Sequence, residues 1–352
     1  MLTKNQSKII TDLDIFFYTY KDNKSITITG TNGKSTSVKL LYDILKNHKK
    51  DVRLTGNIGN PILMEKNIKK NTIFVIEASS YQLEYSKIFK SKYAAILNIS
   101  PDHIERHKTL KKYIKAKFKL LKNQSKGNFA FVKKNDFLIN KELNSERFNC
   151  KIIKINTKKI NRLIKNTKNE FFQSETNKEN FLFALEISKK FNLKYELIKK
   201  TIQKFNGLKY RQQVIFRKKY LTIINDSKST SFSSSIGLLK SNLNIYWILG
   251  GIYKKGDKFD LPRKYFKNIK AFIYGKNKKF FNKKLKGKIY FKNFDNLKDA
   301  LNNVFLIIKN EKFIYKTILF SPCAASFDSF KNFEDRGFYF NKLVQKHLDG
   351  KK

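Results

Sequence analysis

Residues Gly30-Thr31-Asn32-Gly33-Lys34-Ser35-Thr36 constrain this chain more than any other stretch, because they lie between an apolar run, Ser25–Thr29, and an amphipathic one, Lys34–Asn47. Two glycines let the backbone curl at the end of a strand, so that N–H groups and the start of the next helix face an anion. Lys34 supplies a cation, and a hydroxyl from Ser35 or Thr36 can reach a divalent metal. The spacing is that of a shortened phosphate loop, since the longer pattern needs a glycine where this chain has Ile28. A strand-turn-helix unit of this kind predicts an α/β fold with a mostly parallel sheet and its ligand edge at the carboxyl ends of the strands.

The rest of the chain repeats the rhythm. Apolar runs at Thr72–Ile76, Ala94–Ile99 and Phe129–Val132 read as further strands, with helices near Lys34–Asn47, Leu110–Leu121 and Glu179–Phe191. A second series follows: strands Leu221–Asn225, Ile245–Leu249, Ala271–Tyr274 and Thr317–Phe320, with helices around Ser233–Lys240, Asn296–Ile308 and Phe327–Phe340. The expectation is an α/β phosphate-loop domain with a mostly parallel sheet over 23–207 and a Rossmann-like C-terminal domain over 208–352. The boundary falls at Asn206-Gly207-Leu208, where a helical pattern ends in Asn-Gly. Lysine- and asparagine-rich patches such as Lys154–Asn169 read as surface loops.

The chain has 352 residues, 41% of them hydrophobic, enough for two cores. Lys+Arg 75 against Asp+Glu 28 gives a net charge of +47. That charge suggests attraction to polyanions, but the lysines are scattered through every segment and no basic-aromatic reading motif accompanies them; no nucleic-acid partner is expected. Cys150 and Cys323 are too few for a disulfide scaffold and have no metal-ligand spacing; Cys323 has no base beside it and reads as buried packing. No apolar run approaches a membrane span or a signal segment, so the expected protein is soluble and cytoplasmic, with no membrane insertion.

Chemistry-bearing residues fall at strand ends. Ile73–Ile76 leads straight into Glu77, a carboxylate close to where a phosphate-loop metal would sit, and Asp102-His103 follows Ala94–Ile99 in the same way, in a chain with 4 His. Singly, Glu77 is a solvated acid and His103 a structural histidine; three strands converging on one ligand edge turn the reading towards a metal–nucleotide site.

These motifs, with others in order, resemble the Mur ligase family, and within it the branch that adds D-glutamate to UDP-N-acetylmuramoyl-L-alanine. They are GTNGKST at 30–36, GNIGNP at 56–61, IEASSYQLE at 76–84, LNISPDHIERH at 97–107, NDSKST at 225–230, LGG at 249–251 and SPCAASFDSFKNFEDRG at 321–337. The resemblance implies ATP-driven amide ligation in peptidoglycan biosynthesis. The γ-phosphate passes to the substrate carboxylate, the amine attacks the acyl phosphate, and phosphate leaves. It also implies ATP and two Mg²⁺ ions, UDP-N-acetylmuramoyl-L-alanine and D-glutamate as partners, and a monomer.

Residue by residue, the resemblance puts Gly30, Thr31, Asn32, Gly33, Lys34, Ser35 and Thr36 on the phosphates. Ser35 and Glu77 go to one Mg²⁺ and His103 to a second. Lys117 matches a lysine carbamoylated by CO₂, which would turn a cation into an anion able to hold that second metal. Asn57, Ser79 and Gln82 would contact the muramoyl-alanine part, and Asn177 and Asn180 the adenine, although Thr176 replaces the histidine expected there. Arg211 would sit where ATP and the amino acid meet, with Gln212-Gln213 in place of the usual Phe-Glu. Asp226 and Lys228 would orient the nucleotide and the reaction centre, and Lys254, Ser326, Phe327 and Phe333 would form the D-glutamate pocket.

The family also has an N-terminal domain that grips UDP, and here about thirty residues precede Gly30. Residues 1–22, with Ile9–Phe17 at their heart, read as a remnant or linker of that domain. The alternative expectation is a truncated or non-catalytic nucleotide-binding module needing a separate UDP-binding domain.

Overall fold

The structure is a computed structural model that describes residues 9–157, 169–254, 256–311 and 313–349. Most of the Lys154–Asn169 patch lies outside the described residues. The chain divides into two compact units, Met1–Phe205 and Asn206–Lys352.

The first unit is built on six parallel strands: β1 (Ser25–Thr29), β2 (Val52–Gly56), β3 (Ile73–Glu77), β4 (Tyr93–Ile96), β5 (Phe129–Lys133) and β6 (Lys151–Ile155), in the order β2-β3-β1-β4-β5-β6. Every residue of β1 and β3 is buried, as a strand covered on both faces requires. Alternate residues feed two cores. Ile26, Ile28 and Val75 pack with the helices Lys34–Asn47 and Glu175–Ser188, and Phe74, Ile76 and Ala94 with the helix Leu110–Lys122. The helix Asp12–Tyr20 joins the second core: Leu13 and Phe16 are fully buried, and the Phe16 ring meets Phe74 edge-on at 4.7 Å.

The second unit holds β7 (Gln213–Lys218), β8 (Leu221–Asn225), β9 (Ile245–Gly250), β10 (Ile269–Tyr274), β11 (Tyr290–Phe294) and β12 (Lys316–Phe320). Their order is β11-β10-β9-β12-β8-β7, all parallel except β7, which runs antiparallel to β8. The α/β class with a mostly parallel sheet and a second Rossmann-like sheet is therefore as the sequence implies.

Local boundaries shift for identifiable reasons. The helix expected from Phe327 starts at Phe333 and runs to Asp349, because Asn332 accepts the N–H of Asp335 at 2.8 Å and caps it there. The helix expected over Glu179–Phe191 runs Glu175–Ser188, with Ser174 as its cap, and continues as a short 3₁₀ turn, Lys189–Phe191. The strand expected over Ala94–Ile99 ends at Ile96, which frees Leu97–Ser100 to meet the phosphate loop.

Candidate active site

The loop after β1 has a geometry that side chains would obstruct. Gly33 lies at φ +86°, and a Cβ there would stand 2.1 Å from Asn180 Oδ1; Gly30, at φ +151°, would press its Cβ to 3.1 Å from that of Leu97. No side chain caps the helix Lys34–Asn47, and the positive end of its dipole favours an anion there. Asn98 braces the loop by accepting the N–H of Asn32 at 2.9 Å, donating to Asn32 O at 3.1 Å and accepting the N–H of Thr31 on its own carbonyl at 3.0 Å. Lys34 Nζ donates to the carbonyls of Gly30 and Thr31, each at 2.9 Å. Ser35 and Thr36 are buried in the first turn.

Lys117, on the helix Leu110–Lys122, is fully buried and donates to Gly30 O at 2.9 Å, with its Nζ 4.6 Å from the Tyr113 ring centroid. Burial, reinforced by the neighbouring Lys34 ammonium and opposed by Asp102 and Glu77, pushes its pKa well below the ordinary lysine range. The amine therefore gives up its proton more readily than a lysine in water. Tyr113 ties the site together: its hydroxyl lies 3.1 Å from Thr31 Oγ1, while Thr31 Oγ1 donates to Ser100 O at 3.2 Å.

Glu77 ends β3 buried. Its Oε1 accepts the Asn57 amide at 3.0 Å, while Oε2 has no hydrogen-bond partner. A buried carboxylate oxygen left open in this way fits a divalent cation, which on a nucleotide takes one or two protein oxygens and the rest from phosphates. Among the described residues no three His, Cys, Asp or Glu side chains converge as a metal set, so phosphate and a modified Lys117 would have to complete it. His103 stands at φ +54°, its Nδ1 2.7 Å from the Tyr81 hydroxyl and its Nε2 3.5 Å from Asp102.

The remaining positions of this unit are placed as follows. Ser79 and Gln82 form a capping box on the helix Ser80–Tyr85, and Gln82 Nε2 donates to Asp12 at 2.9 Å. Asn180 lies against the loop at Gly33, and Asn177 donates to Phe171 O at 2.9 Å.

In the second unit, Asp226 follows β8. It is buried, accepting Ser321 Oγ at 2.8 Å and the Gln212 N–H at 3.0 Å. Desolvation raises its pKa to about 7, against the opposing pull of these hydrogen bonds and of Arg211 and Arg336. Lys228 Nζ stands 4.0 Å and the Arg211 guanidinium 5.7 Å from the Phe333 ring centroid, which brings those three together. Fully buried Arg336 donates to Ser227 O at 2.7 Å and Ala324 O at 2.9 Å, joining the Asp226–Lys228 turn to the segment carrying Ser326. The Ile252–Ala325 bridge brings the Gly250-Gly251 turn, and so the segment of Lys254, to that same segment. Ser326 is buried and Phe327 is 71% exposed.

The Mur ligase middle-domain profile matches residues 28–201. A UDP-N-acetylmuramoylalanine–D-glutamate ligase of Rickettsia prowazekii is 35% identical over 96% of this chain and 80% of its own length. The chain belongs to the Mur ligase family. A ligase of the same name from Francisella tularensis subsp. novicida is 32% identical over 98% of the chain and 81% of its own. Among solved structures, MurF of Acinetobacter baumannii superposes with a TM-score of 0.72 at 18% identity, covering 95% of this chain and 79% of that one. Folylpolyglutamate synthase of Mycobacterium tuberculosis gives 0.69 at 11% identity, covering 96% and 95%. Mur ligases are ATP-dependent, amide-forming enzymes that use Mg²⁺. No helix among the described residues is long and apolar enough to cross a membrane.

The sequence reading missed Asn98, Tyr113, Tyr81, His107 and Arg336. Asn98 and His107 lie inside a quoted motif, but their partners are Asn32 and Ser80, and nothing in the local pattern names such distant partners.

Proposed function

We propose that this chain joins D-glutamate to UDP-N-acetylmuramoyl-L-alanine, converting ATP to ADP and phosphate. The observation that carries the reading is the fully buried amine of Lys117, its pKa pushed well below the lysine range, against the Gly30 carbonyl of a phosphate loop, in a chain 35% identical to a ligase of that name. A neutral amine adds to CO₂ to give a carbamate and release a proton; an ammonium cannot. Ser35, Glu77, His103 and carbamoylated Lys117 would hold two Mg²⁺ ions, which when bound neutralise phosphate charge.

The substrate carboxylate attacks the γ-phosphorus and ADP leaves; the D-glutamate amine then attacks the acyl carbon and phosphate departs with its bonding pair. Catalysis of this kind is mostly positioning and charge neutralisation. The phosphate-loop N–H groups and Lys34 hold the β- and γ-phosphates, and Asn177 and Asn180 the adenine. Asn57, Ser79 and Gln82 take the muramoyl-alanine end. Asp226, Lys228 and Arg211 orient the reaction centre, and Lys254, Ser326, Phe327 and Phe333 receive the amino acid, as two cations suit a dicarboxylate.

The test is phosphate release by the purified chain with ATP, Mg²⁺, UDP-N-acetylmuramoyl-L-alanine and D-glutamate, each omitted in turn. Release should need all four and vanish in Lys34→Ala. Turnover with a different amino acid in place of D-glutamate overturns the substrate reading, and no release with nucleotide still bound favours a binding module.

A further inference from the structure

Tyr81, Tyr113 and His107, all outside the assigned set, form an aromatic collar whose two tyrosines meet His103. The Tyr81 ring meets it at 5.0 Å and 60°, and Tyr113 lies at 6.4 Å. Tyr81 also stacks on His107 at 5.6 Å and 13°. His107 is buried and doubly held, with Nε2 3.0 Å from Ser80 Oγ and Nδ1 3.7 Å from the Glu84 carboxylate. Ser80, His107 and Glu84 have the order of a hydrolase triad. Ser80, however, is 3% exposed at the first residue of a helix, where no acyl group can approach it. The arrangement therefore orients a ring rather than attacking a substrate, and the ring it orients is Tyr81.

We infer that Tyr81 is a positioning residue for His103: its phenol oxygen accepts the Nδ1–H and so fixes the tautomer in which Nε2 carries the lone pair a divalent cation takes. A neutral imidazole has one N–H, and two sets of acceptors compete for it. Asp102 lies 3.5 Å from Nε2, beyond ordinary hydrogen-bond length, whereas Tyr81 lies 2.7 Å from Nδ1 and Glu105 3.8 Å from the same nitrogen. With Tyr81 present the proton stays on Nδ1. Without its hydroxyl, Asp102 draws the proton to Nε2 and turns a ligand into a donor. The inference rests on His103 being a metal ligand in the proposed function, but the tautomer itself does not.

The experiment uses the full chain, labelled with ¹⁵N, and its Tyr81→Phe variant, which keeps the ring that stacks on His107. Long-range ¹H–¹⁵N spectra at about pH 8, where imidazoles are neutral, read the tautomers of the 4 His; His103→Gln identifies the relevant signal. Mn²⁺ binding with a non-hydrolysable ATP analogue is followed by electron paramagnetic resonance. The expected result is Nδ1–H in the parent, Nε2–H in Tyr81→Phe, and Mn²⁺ affinity lowered by about tenfold. An unchanged tautomer, or a changed one with unchanged Mn²⁺ affinity, overturns the role of Tyr81. A parent chain that binds no Mn²⁺ overturns the metal reading of His103 instead, so the two failures are distinct.

Discussion

Replacing Asp226 with Asn should stabilise the unit that contains it at neutral pH, and by an amount that depends on pH. The folded carboxyl has a pKa of about 7 against an ordinary value of 3.8, because burial disfavours its charge more than Ser321, Gln212, Arg211 and Arg336 favour it. The folded state therefore keeps a proton that the unfolded chain gives up, so stability falls as pH rises from about 4 to about 7. A slope of about 1.4 kcal/mol per pH unit over about three units gives roughly 4 kcal/mol. Asn removes this penalty. It keeps an acceptor for the Gln212 N–H but turns an amide towards Ser321 Oγ, which also meets Ser235 Oγ at 2.5 Å. That mismatch costs on the order of 1 kcal/mol. The net expectation is a gain of about 3 kcal/mol at pH 8 and a small loss at pH 4. Urea unfolding followed by Trp247 fluorescence is the assay: Trp247, the chain's single tryptophan, is fully buried in β9 and reports this unit. An Asn variant no more stable than the parent at pH 8, or shifted equally at both pH values, refutes the reasoning. Phosphate release should be lost in the same variant, which would make Asp226 a residue retained for chemistry at a cost in stability.

Three further outcomes follow from the geometry. Gly33→Ala should lose about 2 kcal/mol or more and abolish binding of a fluorescent ATP analogue, since its Cβ would stand 2.1 Å from Asn180 Oδ1 at φ +86°; thermal unfolding and titration check both. Lys117→Met should abolish phosphate release yet raise stability at pH 7 in a denaturant titration. The parent's depressed amine pKa makes its stability fall as pH drops from the usual lysine range towards the folded value, a dependence that Met removes. Asp14→Ala should cost about 3 kcal/mol, because Asp14 accepts the N–H groups of Lys87, Ile88 and Phe89 and the Ser86 hydroxyl. Burial raises its pKa, but these bonds outweigh it and the net value is lowered, so the parent's advantage should be present above about pH 4 and fade as acid titration passes through the lowered value.

The strands legible in the sequence were β1, β3, β4, β5, β8, β9, β10 and β12, all interior to their sheets. An interior parallel strand is covered on both faces and reads as a continuous apolar run. The four that escaped, β2, β6, β7 and β11, are the two edges of each sheet. Their sequences, such as Lys151-Ile-Ile-Lys-Ile155 and Tyr290-Phe-Lys-Asn-Phe294, carry basic residues that keep an open edge from pairing with another chain and that also dilute the apolar signal.

The same division runs through the site. The phosphate loop, the acid after β3 and the order of the motifs were determined by the sequence, because each is a local pattern of residue type and spacing. The electrostatic state of Lys117, the open oxygen of Glu77, the Asn98 brace and the collar of Tyr81, His107 and Tyr113 were decided by the tertiary structure. Those properties depend on which groups from other segments surround a side chain and how far water is kept from it. Lys117 is one lysine among many in the sequence; burial against Gly30, beside Lys34, is what pushes its amine towards the neutral form.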